Sequence, residues 1–275
     1  MQRAISSSLG GPSPSGIASK IQSSPEGVTG TYHIYNRVRL LFDLCSSQAN
    51  YMIPPGSRNS MLTGKGANKT AEGEDLGVPD LPNDLTDTTD SATDSATTST
   101  PASNLWFNTI GLQPTFSTWS SVTYLHMYIL LVRLRALDIP HDIFTQYQHY
   151  LIDSFSIAAE DKMVTYHNMA ARSVRQKYLK NLFLQWRGLV VAYDEGMLGG
   201  DTALGGAVWR NVFKGREDVD WEAVAVVVRY MRSGIAGLGR VTDGELLGAI
   251  LGGESGFDIF KKTKAELTRK ALKES

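Results

Sequence analysis

The chain has 275 residues, 42% of them hydrophobic and 20% charged, with a formal net charge of -1 and one cysteine. That length supports one substantial core, while a lone Cys45 excludes an intrachain disulfide and any cysteine-based metal cluster. Residues 71–100 hold eight acids and no Lys or Arg, leaving 27 basic against 20 acidic residues elsewhere, a balance suited to an RNA-rich or anionic-membrane neighbour.

Residues 1–30 read as a disordered N-terminus. The first 25 contain no acid, eight serines and only Arg3 and Lys20 as cations. Low acid and high serine fit a mitochondrial targeting segment; the few cations and Gly10-Gly11-Pro12 fit an ordinary terminus, and both readings stay open. A first helix is expected from about Tyr32 to Tyr51, because Tyr35, Val38, Leu41, Phe42, Cys45 and Ala49 recur at three- and four-residue steps. Pro54-Pro55 stops it, so residues 31–55 form an N-terminal helical unit packing on the main domain. Residues 56–103 are Gly, Ser, Thr, Asp and Pro with few bulky apolar side chains, and read as a disordered acidic insertion that cannot offset its ordering entropy.

Order resumes at Leu105-Trp106-Phe107, followed by a turn at Gly111-Leu112-Gln113-Pro114. Ser117 or Thr118 can cap a helix from about Trp119 to Leu137, whose nearly all-round apolar character implies a central position. No charged residue lies between Asn104 and Val132, yet the apolar part, Tyr124 to Val132, is nine residues long and contains His126. A bilayer needs about 20 apolar residues, so this is a buried helix and no transmembrane span is expected. Pro140 punctuates it. A short helix follows from about Asp142 to Phe155, then a long one from about Ala158 to Tyr193. In the latter Met163, Tyr166, Ala170, Val174, Tyr178, Leu182, Trp186, Leu189 and Tyr193 make one continuous stripe.

Gly196 and Gly199-Gly200 end that helix. Asp201 is positioned to cap a helix to about Phe213, and Asp218 or Asp220 to cap another to about Arg232. The run Ala223 to Val228 would suit a buried strand, but its place between a capping Asp and Ser233-Gly234 favours helix. Two short helices, Thr242 to Leu251 and Asp258 to Leu272, are expected in a basic tail over 235–275. The fold class is therefore all-α: a single multi-helix bundle, its main domain over 104–234, with the acidic insertion and flexible termini.

Sites for chemistry are sparse. Asp194-Glu195 are adjacent carboxylates that diverge on a helix and have no neighbouring nucleophile, so a helix-end or ion-pair role outweighs catalysis. The five histidines show no zinc spacing, and His126 on an apolar helix reads as a satisfied core residue. Gly196 to Gly200 precedes no GK[ST] and follows a helix, which argues against nucleotide binding. No cofactor is expected. Basic residues are more suggestive: Arg172, Arg175, Lys177, Lys180 and Arg187 lie in a stretch without acids from Lys162 through Tyr193, and Lys261, Lys262 and Lys264 open a C-terminal cluster. A solvated helix face is the plain reading; contact with ribosomal RNA or anionic lipid is the functional one. Trp119, Trp186, Trp209 and Tyr193 read first as core, although Trp with Arg is typical of interface anchors. Candidate partner or client contacts are thus Trp186, Arg187, Tyr193, Asp194, Glu195, Trp209, Arg210 and Asn211.

An ordered set of short motifs covers Leu105 to Arg232, with a weaker echo in Tyr32 to Pro54. It comprises Pro114-Thr115-Phe116, Leu125-His126, Arg133-Leu134-Arg135, Gln185-Trp186-Arg187-Gly188, Ala192-Tyr193-Asp194-Glu195-Gly196, Gly200-Asp201 and Trp209-Arg210-Asn211. In these residues the chain resembles the ubiquinol–cytochrome c reductase assembly chaperones. It departs from them at Gly205-Gly206, where family members tend to carry alanine and each Gly costs a helix up to about 1 kcal/mol, and in its poor presequence. The resemblance implies an all-helical, non-enzymatic protein on the matrix side of the mitochondrial inner membrane, touching that membrane peripherally. It also implies a complex with a small partner assembly factor, binding at the mitochondrial ribosome, and capture of nascent cytochrome b. Two other classes are weighed against it: an enzyme, and an RNA- or ribosome-binding translational factor for cytochrome b without direct client binding.

Overall fold

The computed structural model describes residues 25–58, 69–80, 104–243, 246 and 260, with side chains from residue 34 onward. The expected helices within Thr242 to Leu251 and Asp258 to Leu272, most of the acidic insertion, and the first 24 residues lie outside the described residues.

The central element is a helix over Phe116–Arg135, designated α2 below, and its sequence explains why. From Thr118 to Leu134 nearly every side chain is buried, including Trp119, Leu125, His126, Met127 and Ile129. Such a helix must be covered on all sides, and it packs against the four helices introduced next. These are α1 (Pro25–Ser46), α3 (His141–Thr165), α4 (Arg172–Gly199) and α6 (Trp221–Leu238). A further helix, α5 (Asp201–Asn211), lies between α4 and α6. Among the described residues the fold is all-α apart from a two-residue antiparallel pair, β1 (Tyr51–Met52) with β2 (Val78–Pro79), and an isolated bridge between Lys69 and Asp75. A π-helical turn at Leu105–Thr109 precedes α2.

Aromatic contacts join the layers. Trp119 stacks on Phe155 of α3 at 5.5 Å, and Tyr124 lies 4.3 Å from Phe155 and 5.4 Å from Trp186 of α4. The Tyr124 hydroxyl donates to the Leu182 carbonyl at 2.9 Å, and the Trp119 indole donates to the Ser46 carbonyl at 3.1 Å. Each ring thus buries its apolar body and spends its polar atom on a neighbouring backbone.

Several boundaries differ from expectation, each for a local reason. Helix α1 stops at Ser46, five residues before Tyr51, because Ser46, Ser47 and Gln48 turn their side chains back onto the Asp43 and Leu44 carbonyls. The cap of α2 is Thr115, whose Oγ1 accepts from the Thr118 amide at 3.2 Å; neither Ser117 nor Thr118 caps it. The expected long helix from Ala158 is two: α3 runs on to Thr165, and the chain turns at 166–171 before α4. Asn168, at φ 49°, and a hydrogen bond from the Met169 amide back to the Met163 carbonyl close the turn. The stripe is therefore not continuous, since Met163, Leu182, Trp186, Leu189 and Tyr193 are buried while Val174 and Tyr178 are 43% and 48% exposed.

Gly200, at φ 92°, makes the joint between α4 and α5 and is the N-cap; Asp201 is the first helical residue, its carboxylate paired with Arg232. Asp220 caps α6 through the Glu222 amide, and the β-branched run Ala223 to Val228 is helical, continuing beyond Arg232 to Leu238. The expectation of disorder from residue 56 is corrected over 69–80. That stretch is held by polar contacts: His167 Nδ1 to Asp75 at 2.8 Å, the Gly77 amide to the Pro114 carbonyl at 2.9 Å, and Lys214 to Glu72 and Glu74.

Candidate functional site

On α4, residues 186–196 alternate between core and surface as the helical period requires. Trp186 and Tyr193 are buried, Arg187 and Glu195 are exposed, and Asp194 lies at the edge. Asp194 Oδ1 accepts from the Tyr128 hydroxyl at 3.0 Å and from Arg135 at 2.8 Å. Burial, and then the negative charge of Asp194, push the Tyr128 hydroxyl well above its ordinary range, so it stays a neutral donor. Tyr193 packs edge-on against Tyr128, and its own hydroxyl is buried without a hydrogen-bond partner. Gly196 is required sterically: a Cβ there would stand 2.7 Å from the Leu204 Cα of α5.

The Arg133-Leu134-Arg135 motif holds two helices to α2. Arg135 takes Asp194. Arg133, 8% exposed, donates to the Leu238 carbonyl at 3.0 Å, to the Val241 carbonyl at 2.8 Å, and to Asp243. A cation beside the carbonyl end of α6 suits the helix dipole. His126 is the satisfied core residue that its apolar helix suggests. Its Nδ1 faces the Val122 carbonyl at 2.7 Å and must carry the proton, so Nε2 accepts from the Tyr230 hydroxyl at 2.6 Å.

Trp209 is half-buried, its indole donating to the Arg216 carbonyl at 2.7 Å and its ring 5.9 Å from the exposed Trp221. Arg210 is exposed, with Nε 3.3 Å from the Gly206 carbonyl; Asn211 bonds back to the Ala207 carbonyl within α5. The candidates fall on two adjoining helices: α4 carries Arg187 and Glu195, and the end of α5 carries Trp209, Arg210 and Asn211. Among the basic candidates, Arg172, Lys177 and Lys180 are exposed. Arg175 is committed to Glu160 at 2.9 Å and to the Met169 and Ala170 carbonyls. Lys261, Lys262 and Lys264 lie outside the described residues.

Two cavities open elsewhere. One of about 610 Å³ has an apolar floor of Ile110, Leu112, Val212 and Phe213, with Glu72 and Lys214 on its rim. Another of about 450 Å³ lies between α5 and α6, over Gly205, Gly206, Val224 and Val228 beside Trp221. Neither brings together a nucleophile, a base and an orienting acid. One chain of that outline, Tyr51 to His167 to Asp75 at 2.8 Å each, ends on a tyrosine with 0% exposure and can only fasten residues 69–80. No His, Cys, Asp and Glu group able to hold a metal occurs among the described residues, and no described helix is long and apolar enough to cross a membrane.

Sequence reasoning counted Lys162 only among the basic residues and missed its setting. Its ammonium sits 4.9 to 5.1 Å from the ring centroids of Tyr51, Trp119 and Tyr166 and donates to Asn50 at 2.8 Å. Burial lowers its pKa to about 8 against the opposing pull of Asp80 and Asp161. It also missed Leu184, Val191 and Leu198, which are 53%, 65% and 91% exposed on the outer side of α4. Their seven-residue spacing was the available signal.

The family model for ubiquinol-cytochrome C chaperones matches residues 108–251. Protein CBP3, mitochondrial, of Saccharomyces cerevisiae is 36% identical over 140 residues, covering 51% of this chain and 41% of that protein. Ubiquinol-cytochrome c reductase complex assembly factor 1 of Drosophila melanogaster is 27% identical over 130 residues, covering 46% of this chain and 49% of that protein. The chain thus spans less than half the length of each of these relatives. No solved structure matches.

Proposed function

The chain belongs to the ubiquinol-cytochrome C chaperone family, and from that premise we propose that it is a mitochondrial assembly factor for the ubiquinol–cytochrome c reductase complex. In this reading it binds newly synthesised cytochrome b near the mitochondrial ribosome, on the matrix side of the inner membrane, in company with a small partner assembly factor. The helical domain over 104–234 does this work, with the N-terminal unit of 31–55 as its support and the basic tail of 235–275 as an accessory contact.

The family match over the motif-bearing half of the chain carries the reading. Apolar-floored clefts and exposed interface-type residues support it, since a chaperone for a membrane protein must offer apolar surface between helices. Within the candidate set, Arg187, Glu195 and Arg210 are exposed and Trp209 is half-buried, so these four are the direct contacts. Trp186, Tyr193, Asp194 and Asn211 act by positioning them. The proposed activity is binding and release, with no covalent step.

The test is a pull-down of the tagged protein from mitochondria whose own translation products are radiolabelled. Recovery of labelled cytochrome b above the other products, reduced by Arg187→Ala with Arg210→Ala, is the expected result. Absence of cytochrome b with ribosomal RNA retained would replace this reading by that of a translational factor.

A further inference from the structure

Helix α4 is the least enclosed of the long helices. Of its 28 residues only Leu182, Trp186, Leu189, Tyr193 and Gly196 are buried, all on the side facing α2, α3 and α5. The opposite side has its own order. Leu184, Val191 and Leu198 follow one another at seven-residue steps, a spacing that drifts by only about 20° per step on a straight helix. Lys177 lies one step earlier on the same line, with Lys180 and Arg187 beside it, all three exposed. From Lys177 to Leu198 the line is about 32 Å long at 1.5 Å per residue.

We propose that this outer face of α4 is a bilayer-binding ridge, with Lys177 and Lys180 taking anionic headgroups while Leu184, Val191 and Leu198 enter the acyl boundary. Large exposed aliphatic side chains interleaved with cations are what an interfacial helix requires. Each cation near an anionic leaflet strengthens binding by about fivefold. Phe183, 45% exposed, lies to the side of the line, about 100° round the helix from Leu184, with a ring suited to the headgroup level. Glu195 is an acid on this line and lies at its apolar end, away from the lysines.

Two other occupants fit less well. A partner helix forming a two-stranded seam would need apolar residues at both alternating positions, but the positions three after Lys177, Leu184 and Val191 are Lys180, Arg187 and Asp194, and the last is tied to Arg135. Neither cavity includes a residue of α4, so the face is a ridge and not a groove. Nucleic acid would reward the cations but leave three aliphatic side chains against phosphate.

The proposal rests on the reading that the protein serves a membrane-protein client, and its test is separate. The full chain is floated with phosphatidylcholine vesicles prepared with or without cardiolipin. Binding to the cardiolipin vesicles alone, weakening as salt rises, is expected. Lys177→Glu with Lys180→Glu weakens it about tenfold or more, and Leu184→Ser, Val191→Ser and Leu198→Ser together abolish it. A polarity-sensitive dye on Val191→Cys gives a second readout that leaves the other aliphatics in place. Cys45 has 0% exposure, so labelling is selective, and the dye emission should shift to the blue on adding cardiolipin vesicles. Failure of the wild-type chain to float, or an unchanged dye spectrum, overturns the proposal. So does a serine variant that folds and floats like the wild type; if the glutamate variant then loses ribosomal RNA as well, the face is a nucleic-acid contact. Failure of the wild-type chain to recover cytochrome b, with its vesicle binding intact, would count against the proposed function and leave the ridge standing.

Discussion

Tyr193 and Tyr230 are both fully buried, but their hydroxyls differ: that of Tyr230 donates to His126, and that of Tyr193 has no hydrogen-bond partner. Removing one partner of a buried pair leaves the other unsatisfied, at about 1–3 kcal/mol. Tyr230→Phe should therefore lower unfolding stability by about that amount, whereas Tyr193→Phe should leave it unchanged or raise it; urea denaturation of the two variants distinguishes them. Lys162 gives a pH signature. With its folded pKa lowered to about 8 from an ordinary 10.5, the unfolded chain holds a proton that the folded one lacks throughout that window, so stability gains from this group as pH rises from 8 to 10.5. The gain is complete above 10.5 and lost as pH falls through 8. In Lys162→Met that rise should be missing from Tm measured against pH. Above pH 10, Tyr51, Tyr124 and Tyr193, all raised first by burial, work in the opposite direction. At this scale the sequence is legible where a signal is local, as with Asp220 two residues before the Glu222 amide it caps. It is opaque where partners are distant, as with Arg133 and the Leu238 carbonyl, 105 residues apart.

Helix boundaries test the period argument. The turn at 166–171 is hidden from it because α3 and α4 both face the core, so the apolar residues stay in step across a break containing neither Gly nor Pro; Asn168 was its one local sign. Glycines are more readable. A Cβ on Gly206 would meet nothing within 4 Å and one on Gly205 would make ordinary contact with Val224 at 3.9 Å, so each Gly→Ala should stabilise α5 by up to about 1 kcal/mol. Gly196→Ala should instead destabilise, by about 1–3 kcal/mol, because α5 must move away from the added methyl. Chemical denaturation of the three single variants checks both signs. The acidic segment divides in the same way. Deleting 66–98 removes the partners of His167, Pro114 and Lys214 and should lower Tm, whereas a deletion confined to 81–98 keeps those contacts and should lower it less. Composition could not separate the two halves, because residues 69–80 are fastened by hydrogen bonds and ion pairs and not by apolar burial.

The all-helical class and the central place of α2 were readable from its charge-free sequence. The site was less so, because motif residues such as Tyr193, Asp194 and Arg133 are fastenings of the bundle, and the exposed line on α4 lies opposite the stripe that periodicity picks out. Helix α4 also behaves as a beam fixed in two different ways. From Leu182 onward it is held by apolar burial, whereas its first turns are held by Arg175, through Glu160 and two carbonyls. Salt weakens the second kind of anchorage and not the first. Raising ionic strength should therefore quicken amide hydrogen exchange over 175–181 while leaving 186–196 protected, so the basic end of the beam can loosen while the rest of the bundle stays closed.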